Sequence, residues 1–289
     1  MQEAPLRRGK RGILRGIIVL LQLDQVKRIV VKVGTSTLTY PNGTLNIRRI
    51  EHLVRCMSDL SNRGYEMVMV TSGAVGVGVG KLGLAEKPRE LAMKQAAAAV
   101  GQCELMHIYD KMFLEYGRTV AQILLTRHDI IEGPRRDNLH NTFDALIRTG
   151  ALPIVNENDS VAVEEIEAID TFGDNDTLSA VVARLCNADL LVIFTDMDGL
   201  FDSDPRRNPQ AKLIPEVRII DAKLRRVAGG AGTPGGTGGM ATKLSAAELC
   251  MDAGIPMLIT NGERPEDLYR IVEGEAVGTL FDTGRRTDA

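Results

Sequence analysis

Short apolar segments alternate along this chain with longer segments of helical periodicity. Residues 28–33 (RIVVKV), 66–71 (EMVMVT) and 189–195 (DLLVIFT) lack regular polar alternation, which predicts strands buried on both faces. Between them, residues 46–63 and 175–186 carry apolar side chains at the i, i+3, i+4 and i+7 spacing of a helix. This alternation predicts an α/β fold with a largely parallel sheet and helices on both of its faces.

The same criteria extend to the rest of the chain. Further strands are predicted at 119–125, 152–156, 257–260 and 278–281, further helices at 89–115, 136–148 and 240–253, and a hairpin off the main core at 161–169. The chain has 289 residues, 44% hydrophobic and 25% charged, which excludes intrinsic disorder. We expect one domain over residues 27–283, a basic and apolar extension over 1–26, and a short tail over 284–289.

Composition and charge exclude several classes of function. The net charge is −3, aromatic residues are 4% and Trp is absent, so we expect no nucleic-acid partner. The apolar run at 17–23 is too short to span a bilayer and lacks a cleavage signal, so we expect no membrane partner. The four cysteines lie far apart and none has a histidine at ligand spacing. A reducing, cytoplasmic location without a zinc site fits best.

Small, hydroxylated and charged residues follow four of the predicted strands, at 32–36, 71–74, 156–160 and 195–196. In open α/β sheets, ligands bind beyond the carboxyl ends of the strands, so these residues predict a site at one edge. Lys32 lies within an apolar strand, where an ammonium group requires an anionic partner. A lysine that extends its ammonium out of the strand end is the alternative.

A second candidate region surrounds Lys243, in the first turn of a predicted helix after a Gly-rich segment. Glycine N–H groups, a helix N-terminus and a lysine together suit a nucleotide phosphate, with a flexible loop as the alternative. The segment 173–177 (GDNDT) opens another helix with two carboxylates and an amide. These suit orientation of lysines or ligation of Mg²⁺, and plain helix capping is the alternative.

Two Gly-x-Gly-x-x-Gly patterns, at 78–83 and 230–235, match the fingerprint of dinucleotide-binding proteins. Neither directly follows a strand and opens a helix within the first βαβ unit, as that mechanism requires. An NAD-binding oxidoreductase is therefore kept only as a rival interpretation. The Gly-x-x-x-x-Gly-Lys-Ser/Thr motif of P-loop enzymes does not occur.

Six segments carry a family resemblance. They are VVKVGTS at 30–36, VTSGAVGVG at 70–78, PIVNENDSV at 153–161, FGDNDTLSA at 172–180, TDMDGLFDSDPR at 195–206 and GTGGMATK at 236–243. In this order and spacing the chain, from about residue 27 to 283, resembles the glutamate 5-kinase branch of the amino acid kinase family. The resemblance implies a three-layer α/β/α sandwich with a mainly parallel sheet. It also implies ATP-dependent phosphorylation of the glutamate γ-carboxylate, the first step of proline biosynthesis.

The resemblance also implies roles for residues of this chain. The catalytic residues would be Lys32 and Lys243 at the phosphoryl group, with Asp176 orienting the lysines and Asp174 doing so or meeting Mg²⁺. The residues that bind glutamate would be Ser72, Asn156, Asp159 and Asn175. The residues that bind ATP would be Lys32, Thr195, Asp196, Thr237, Gly238, Gly239, Met240, Ala241, Thr242 and Lys243. Mg²⁺ would enter with ATP, without a fixed protein ligand.

Partners follow from the same resemblance. It implies a homo-oligomer, either a dimer or a tetramer, and functional coupling to glutamyl phosphate reductase. We expect no C-terminal PUA domain, which many bacterial members carry. Two alternatives from related or more distant classes are an acetylglutamate kinase-like enzyme and a catalytically inactive amino-acid sensor.

Overall fold

The computed structural model describes residues 26–40, 44–130, 133–161, 174–228 and 239–284. In these residues eight strands form one sheet in the order β3-β4-β2-β1-β5-β7-β8-β6. The strands are β1 (Arg28–Lys32), β2 (Glu66–Val70), β3 (Val120–Leu125), β4 (Leu152–Glu157), β5 (Leu190–Thr195), β6 (Glu216–Val217), β7 (Met257–Asn261) and β8 (Thr279–Phe281). Their pairings are parallel except for the antiparallel pair β7–β8.

Helices connect most of these strands. They are α1 (Thr35–Leu38), α2 (Ile47–Asn62), α3 (Ala74–Lys81), α4 (Leu91–Leu114), α5 (Pro134–Arg148), α6 (Asn175–Leu185), α7 (Ala222–Ala228), α8 (Met240–Asp252) and α9 (Asp267–Val272), with a 3₁₀ turn at Arg127–Asp129. Among the described residues, no helix is both long and apolar enough to cross a membrane.

The central strand β1 contributes side chains to both faces of the sheet. Ile29 and Val31 pack with α2, α4 and α9 in one apolar core, while Val30 packs with α5, α6 and α8 in the other. All three side chains have no exposed surface. Helices thus cover both faces of a mainly parallel sheet, and the predicted three-layer α/β/α sandwich is confirmed.

Most predicted elements that lie in the described residues end within one or two positions of the observed ones. The predicted hairpin at 161–169 lies, apart from Val161, outside the described residues. Five elements were not predicted, namely α1, α3, α7, α9 and β6. All are short, and α3 contains three glycines in eight residues (AVGVGVGK), which lowers its helix propensity.

Tertiary packing against α4 explains why a Gly-rich segment forms a helix at α3. A Cβ atom on Gly78 would lie 1.8 Å from the carbonyl oxygen of Ala97, and one on Gly101 would lie 1.8 Å from that of Ala74. The two backbones therefore touch, which only glycine permits at these two positions. The first of the two dinucleotide-like patterns is thus, at Gly78, a helix-packing contact rather than a phosphate loop.

Alanine substitutions in α3 test this contact. We expect Gly78→Ala to lower the free energy of unfolding by about 1–3 kcal/mol, because the new methyl group displaces the backbone of α4. The matched control is Gly76→Ala, since a Cβ there meets only Thr35 Cγ2, at 3.9 Å. This control should hold or raise stability by about 0.5–1 kcal/mol through better helix propensity. Urea unfolding of both variants measures the difference, and equal effects would contradict the close contact.

Candidate active site

Two lysines and one aspartate meet at the carboxyl edge of the sheet. Lys32 ends β1, Asp176 lies in the first turn of α6, and Lys243 lies in the first turn of α8. Lys32 Nζ is 2.6 Å from Asp176 Oδ1, and Lys243 Nζ is 2.9 Å from Asp176 Oδ2. Thr242 Oγ1 also donates to Oδ2, at 2.9 Å. We call Lys32, Asp176 and Lys243 the lysine–aspartate cluster.

Burial makes the electrostatics of this cluster strong. Asp176 has no exposed surface, and Lys32 and Lys243 are 7% and 5% exposed. Burial by itself would raise the pKa of Asp176, but the two ammonium groups outweigh it and lower this pKa to about 2. Burial lowers the pKa of Lys32, and Lys243 lowers it further, while Asp176 opposes both effects.

The charges do not cancel among the three side chains in contact. Two ammonium groups meet one carboxylate, and the carboxylate of Asp174 acts on Lys32 without contacting it. The N-termini of α6 and α8 add positive potential at the same place, because helix dipoles favour anions there. The cluster is therefore a site that an anion would stabilise.

Asp174 acts at the same helix end but in a different way. It is the N-cap of α6, and its Oδ1 accepts from the backbone N–H groups of Asp176 at 2.7 Å and Thr177 at 2.8 Å. Its Oδ2 accepts from Thr177 Oγ1 at 3.0 Å. Of the two carboxylates, Asp176 is the one in contact with both lysines, and Asp174 holds the turn that carries it.

A chain of side-chain amides runs beside the cluster. Asn175 Nδ2 donates to Asn156 Oδ1 at 2.8 Å and also to the carbonyl oxygen of Thr71. Asn156 Nδ2 donates to Gln102 Oε1 at 2.9 Å, and Asn156 Oδ1 also accepts from the backbone N–H of Glu157 at 2.9 Å. Asn156, at the end of β4, and Gln102, on α4, are 1% and 8% exposed. We call Gln102, Asn156 and Asn175 the amide chain.

Ser72 and Asp159 lie in the segments after β2 and β4, the neighbouring strands whose carboxyl ends adjoin the amide chain. Ser72 Oγ donates to the carbonyl oxygen of Val33 at 3.2 Å. Gly73 follows with φ of 88°, a left-handed conformation that suits glycine and lets α3 begin directly. Asp159 is half-buried, and burial raises its pKa while the ammonium of Lys87 acts in the opposite direction.

The remaining candidates follow β5 and precede α8. Thr195 Oγ1 donates to Asp196 Oδ1 at 3.1 Å, and Arg206 pairs with Asp196 Oδ2 at 2.6 Å. β5 lies directly beside β1 in the sheet, on the side away from β2. Gly239 is the N-cap residue of α8, Met240 and Ala241 begin that helix, and Thr237 and Gly238 lie outside the described residues.

The structure brings predicted residues together in three contacting groups. These are the lysine–aspartate cluster with Asp174 and Thr242, the pair Asn156–Asn175, and the pair Thr195–Asp196. Sequence reasoning missed Gln102 because α4 carries several polar residues, and the sequence does not show which of them is buried beside Asn156. The Thr71 carbonyl was missed because main-chain atoms carry no residue signature. In the described ranges, three or more acidic, His or Cys side chains do not gather at metal-ligand distance.

The chain belongs to the amino acid kinase family, whose model matches residues 27–261. It is 56% identical to a glutamate 5-kinase of Clostridium perfringens (strain 13 / Type A) over 260 residues, which are 90% of this chain and 96% of that one. A glutamate 5-kinase of Listeria monocytogenes serotype 4b (strain F2365) is 52% identical over 90% of this chain and 94% of its own length.

Solved structures share the fold at lower identity. An isopentenyl phosphate kinase of T. acidophilum, in a product complex, aligns with a TM-score of 0.60 at 18% identity, over 88% of this chain and 99% of its own. A UMP kinase from Bacillus anthracis aligns with a TM-score of 0.60 at 19% identity, over 91% of this chain and 97% of its own. At these identities the likeness concerns the fold alone.

The low pKa of Asp176 makes a testable contribution to stability. Its folded value of about 2 lies below the ordinary 3.8, so the stabilisation is fully present above about pH 4 and is lost as the pH falls toward 2. We expect Asp176→Asn to remove this pH-dependent part, on the order of 2 kcal/mol. The free energy of unfolding, measured in urea from pH 6 to pH 2.5, should differ most between wild type and variant at the upper end.

The control for this experiment is Asp110→Asn, at an exposed position on α4. Its free energy of unfolding, plotted against pH, should run parallel to that of wild type from pH 6 to pH 2.5. A parallel curve for Asp176→Asn as well would contradict the ion pairing of Asp176 in the folded protein.

Proposed function

We propose that this chain transfers the γ-phosphoryl group of ATP to the γ-carboxylate of L-glutamate, forming L-glutamyl 5-phosphate at the first step of proline biosynthesis. The observation that carries the proposal is the lysine–aspartate cluster, a buried site where two ammonium groups meet at two helix N-termini. More than 50% identity to glutamate 5-kinases over 90% of the chain supports the choice of acceptor.

The chemistry requires charge neutralisation rather than proton transfer. A glutamate γ-carboxylate has an ordinary pKa of about 4.3 and is already ionised at neutral pH, so its in-line attack on the γ-phosphorus needs no general base. Two anions must nevertheless approach each other. Lys32 and Lys243 would hold the transferring phosphoryl group between their ammonium groups, and Asp176 would keep both ammonium groups in place.

ATP would lie on the β5 side of the cluster, against Thr195, Asp196 and the segment from 237 to 243. In P-loop enzymes and protein kinases alike, Mg²⁺ bridges the phosphates of the nucleotide and neutralises developing charge. The described residues do not assemble a set of acidic, His or Cys ligands for such an ion. In this proposal Mg²⁺ enters with ATP, and Asp174, the N-cap of α6, would help to orient the lysines or would meet Mg²⁺.

Glutamate would lie on the other side, against Ser72, Asn156, Asp159 and Asn175. The carboxylate of Asp159 would pair with the α-ammonium of glutamate, and the amides would meet the α-carboxylate and the ammonium. Acetylglutamate has an amide in place of the ammonium and would lose the ion pair with Asp159. This argument favours glutamate over the acetylglutamate kinase-like alternative.

Acceptor choice is tested by ADP release from purified protein with ATP, Mg²⁺ and each of four acceptors, glutamate, acetylglutamate, aspartate and uridylate. We expect glutamate to give the highest kcat/KM. An equal or higher value for acetylglutamate would contradict the proposed acceptor. Thermal protection by ATP but not by NAD separates a kinase from the oxidoreductase, and absence of ADP release with any acceptor would favour the inactive sensor.

The proposal includes a cytoplasmic location, assembly into a dimer or tetramer, and coupling to glutamyl phosphate reductase. All four cysteines are free thiols, which suits a reducing compartment. Acyl phosphates hydrolyse readily, so the enzyme that consumes the product is a natural partner. Sedimentation of the purified chain, with and without that reductase, tests both the assembly and the coupling.

The two lysines are tested by Lys32→Met and Lys243→Met. We expect each to lower kcat by about 10²–10³, with non-additive effects in the double variant, because both ammonium groups would hold one phosphoryl group. Each single variant should stay folded, since Asp176 keeps one lysine and the cluster becomes neutral.

Steady-state kinetics and melting curves of the three variants provide the measurement. Lys111→Met, at an exposed position on α4, is the control and should retain the wild-type kcat. A Lys32→Met protein that folds and keeps a near-normal kcat would remove Lys32 from the catalytic assignment.

A further inference from the structure

Gln102 occupies an unusual position in the apolar interface between α4 and the sheet. It is 8% exposed, and its Oε1 accepts from Asn156 Nδ2 at 2.9 Å. Its Nε2 is fully buried and has no hydrogen-bond partner within the described part of the chain. An unpaired buried donor destabilises a fold, so a methionine or leucine would fill this position at lower cost.

Two main-chain groups determine which way the amide chain is oriented. The N–H of Glu157 must find an acceptor, and it donates to Asn156 Oδ1. The carbonyl of Thr71 must find a donor, and Asn175 Nδ2 supplies it while its other hydrogen meets Asn156 Oδ1. Asn156 Nδ2 is thereby directed toward Gln102, which can satisfy it only with Oε1.

This orientation leaves a defined set of atoms for a ligand. Asn156 keeps one N–H of its amide, since the other is donated to Gln102. Asn175 keeps its acceptor Oδ1, because both hydrogens of its Nδ2 are engaged. A donor and an acceptor side by side match the α-carboxylate and the α-ammonium of an amino acid.

We propose that Gln102 is a positioning residue for the amino-acid subsite. Its Oε1 holds the amide of Asn156 in the orientation that presents an N–H, rather than an oxygen, to the α-carboxylate of the substrate. The inference rests on the proposed function, which brings glutamate to Asn156 and Asn175. Gln102 contacts Asn156 through this hydrogen bond and acts through that residue.

Gln102→Met removes the acceptor and the unpaired donor while keeping a similar volume. We expect KM for glutamate to rise about tenfold, which corresponds to the loss of one hydrogen bond to a charged group. The kcat and the KM for ATP should be unchanged. The melting temperature should change little, because the variant removes one unpaired donor, Gln102 Nε2, and leaves another, one N–H of Asn156, without its acceptor. A role in stability alone would give the opposite pattern, a lower melting temperature with an unchanged KM.

The matched control is Tyr109→Phe, two turns further along α4. The Tyr109 hydroxyl is buried and pairs with Thr71 Oγ1 at 2.8 Å, but it does not contact the amide chain. This variant should lower the melting temperature by a few degrees and leave KM for glutamate as in wild type. An equal rise of KM in both variants would overturn the specific role of Gln102.

A double-mutant cycle with Asn156→Ala completes the test. If Gln102 acts through Asn156, adding Gln102→Met to the Asn156→Ala protein leaves its KM for glutamate unchanged. If the two residues act independently, their fold-changes in KM multiply in the double variant. An unchanged KM in Gln102→Met, or a multiplied effect in the double variant, overturns the inference. Gln102→Ser, with the same expected rise in KM, replaces Gln102→Met if the latter does not fold.

The proposed function and this inference fail in distinguishable ways. A wild-type protein without glutamate-dependent ADP release overturns both. A wild-type protein that phosphorylates glutamate, together with a Gln102→Met variant of unchanged KM, overturns the inference alone.

Discussion

The buried carboxylate of Asp176, held between Lys32 and Lys243, is the interaction on which the site depends. It offsets the cost of burying both ammonium groups, since removal of an ammonium group from water is costly unless a counter-charge is near. One carboxylate nevertheless cannot neutralise two ammonium groups. The fold therefore places two ammonium groups and two helix N-termini at the edge of its sheet, where the anionic substrates of a phosphoryl transfer would bind favourably.

The fold brings these three charges together from distant parts of the chain. Lys32 ends the central strand, and Asp176 and Lys243 begin two helices that pack on one face of the sheet. Because β1 lies between β2 and β5, the cluster separates two flanking regions. The amide chain lies toward β2 and β4, and Thr195 and Asp196 lie at the end of β5. This division matches a reaction between two substrates that meet at one point.

Sequence reasoning identified the components of the site better than their connections. The two lysines stand out in the sequence because each lies where a cation is disfavoured. Lys32 lies in an apolar strand, and Lys243 lies in the first turn of a helix, where the dipole favours anions. The sequence does not show which of Asp174 and Asp176 caps α6 and which pairs with the lysines, since both carboxylates suit a helix start. The distances in the structure distinguish the two roles. α3 was missed because its glycines lower helix propensity, and the packing against α4 that offsets this lies in residues some 20 positions away. Gln102 was missed because its role depends on a neighbour from another element.

The backbone contact between α3 and α4 also constrains how the protein can move. Ser72 lies two residues before α3, and Gln102 follows Gly101, one of the glycines at the contact. Helices that touch at main-chain distance cannot slide past each other without opening a void, so α3 and α4 hold Ser72 and Gln102 at a fixed spacing. Among the described residues, this serine and this glutamine therefore give an incoming amino acid one wall whose shape is set before it binds.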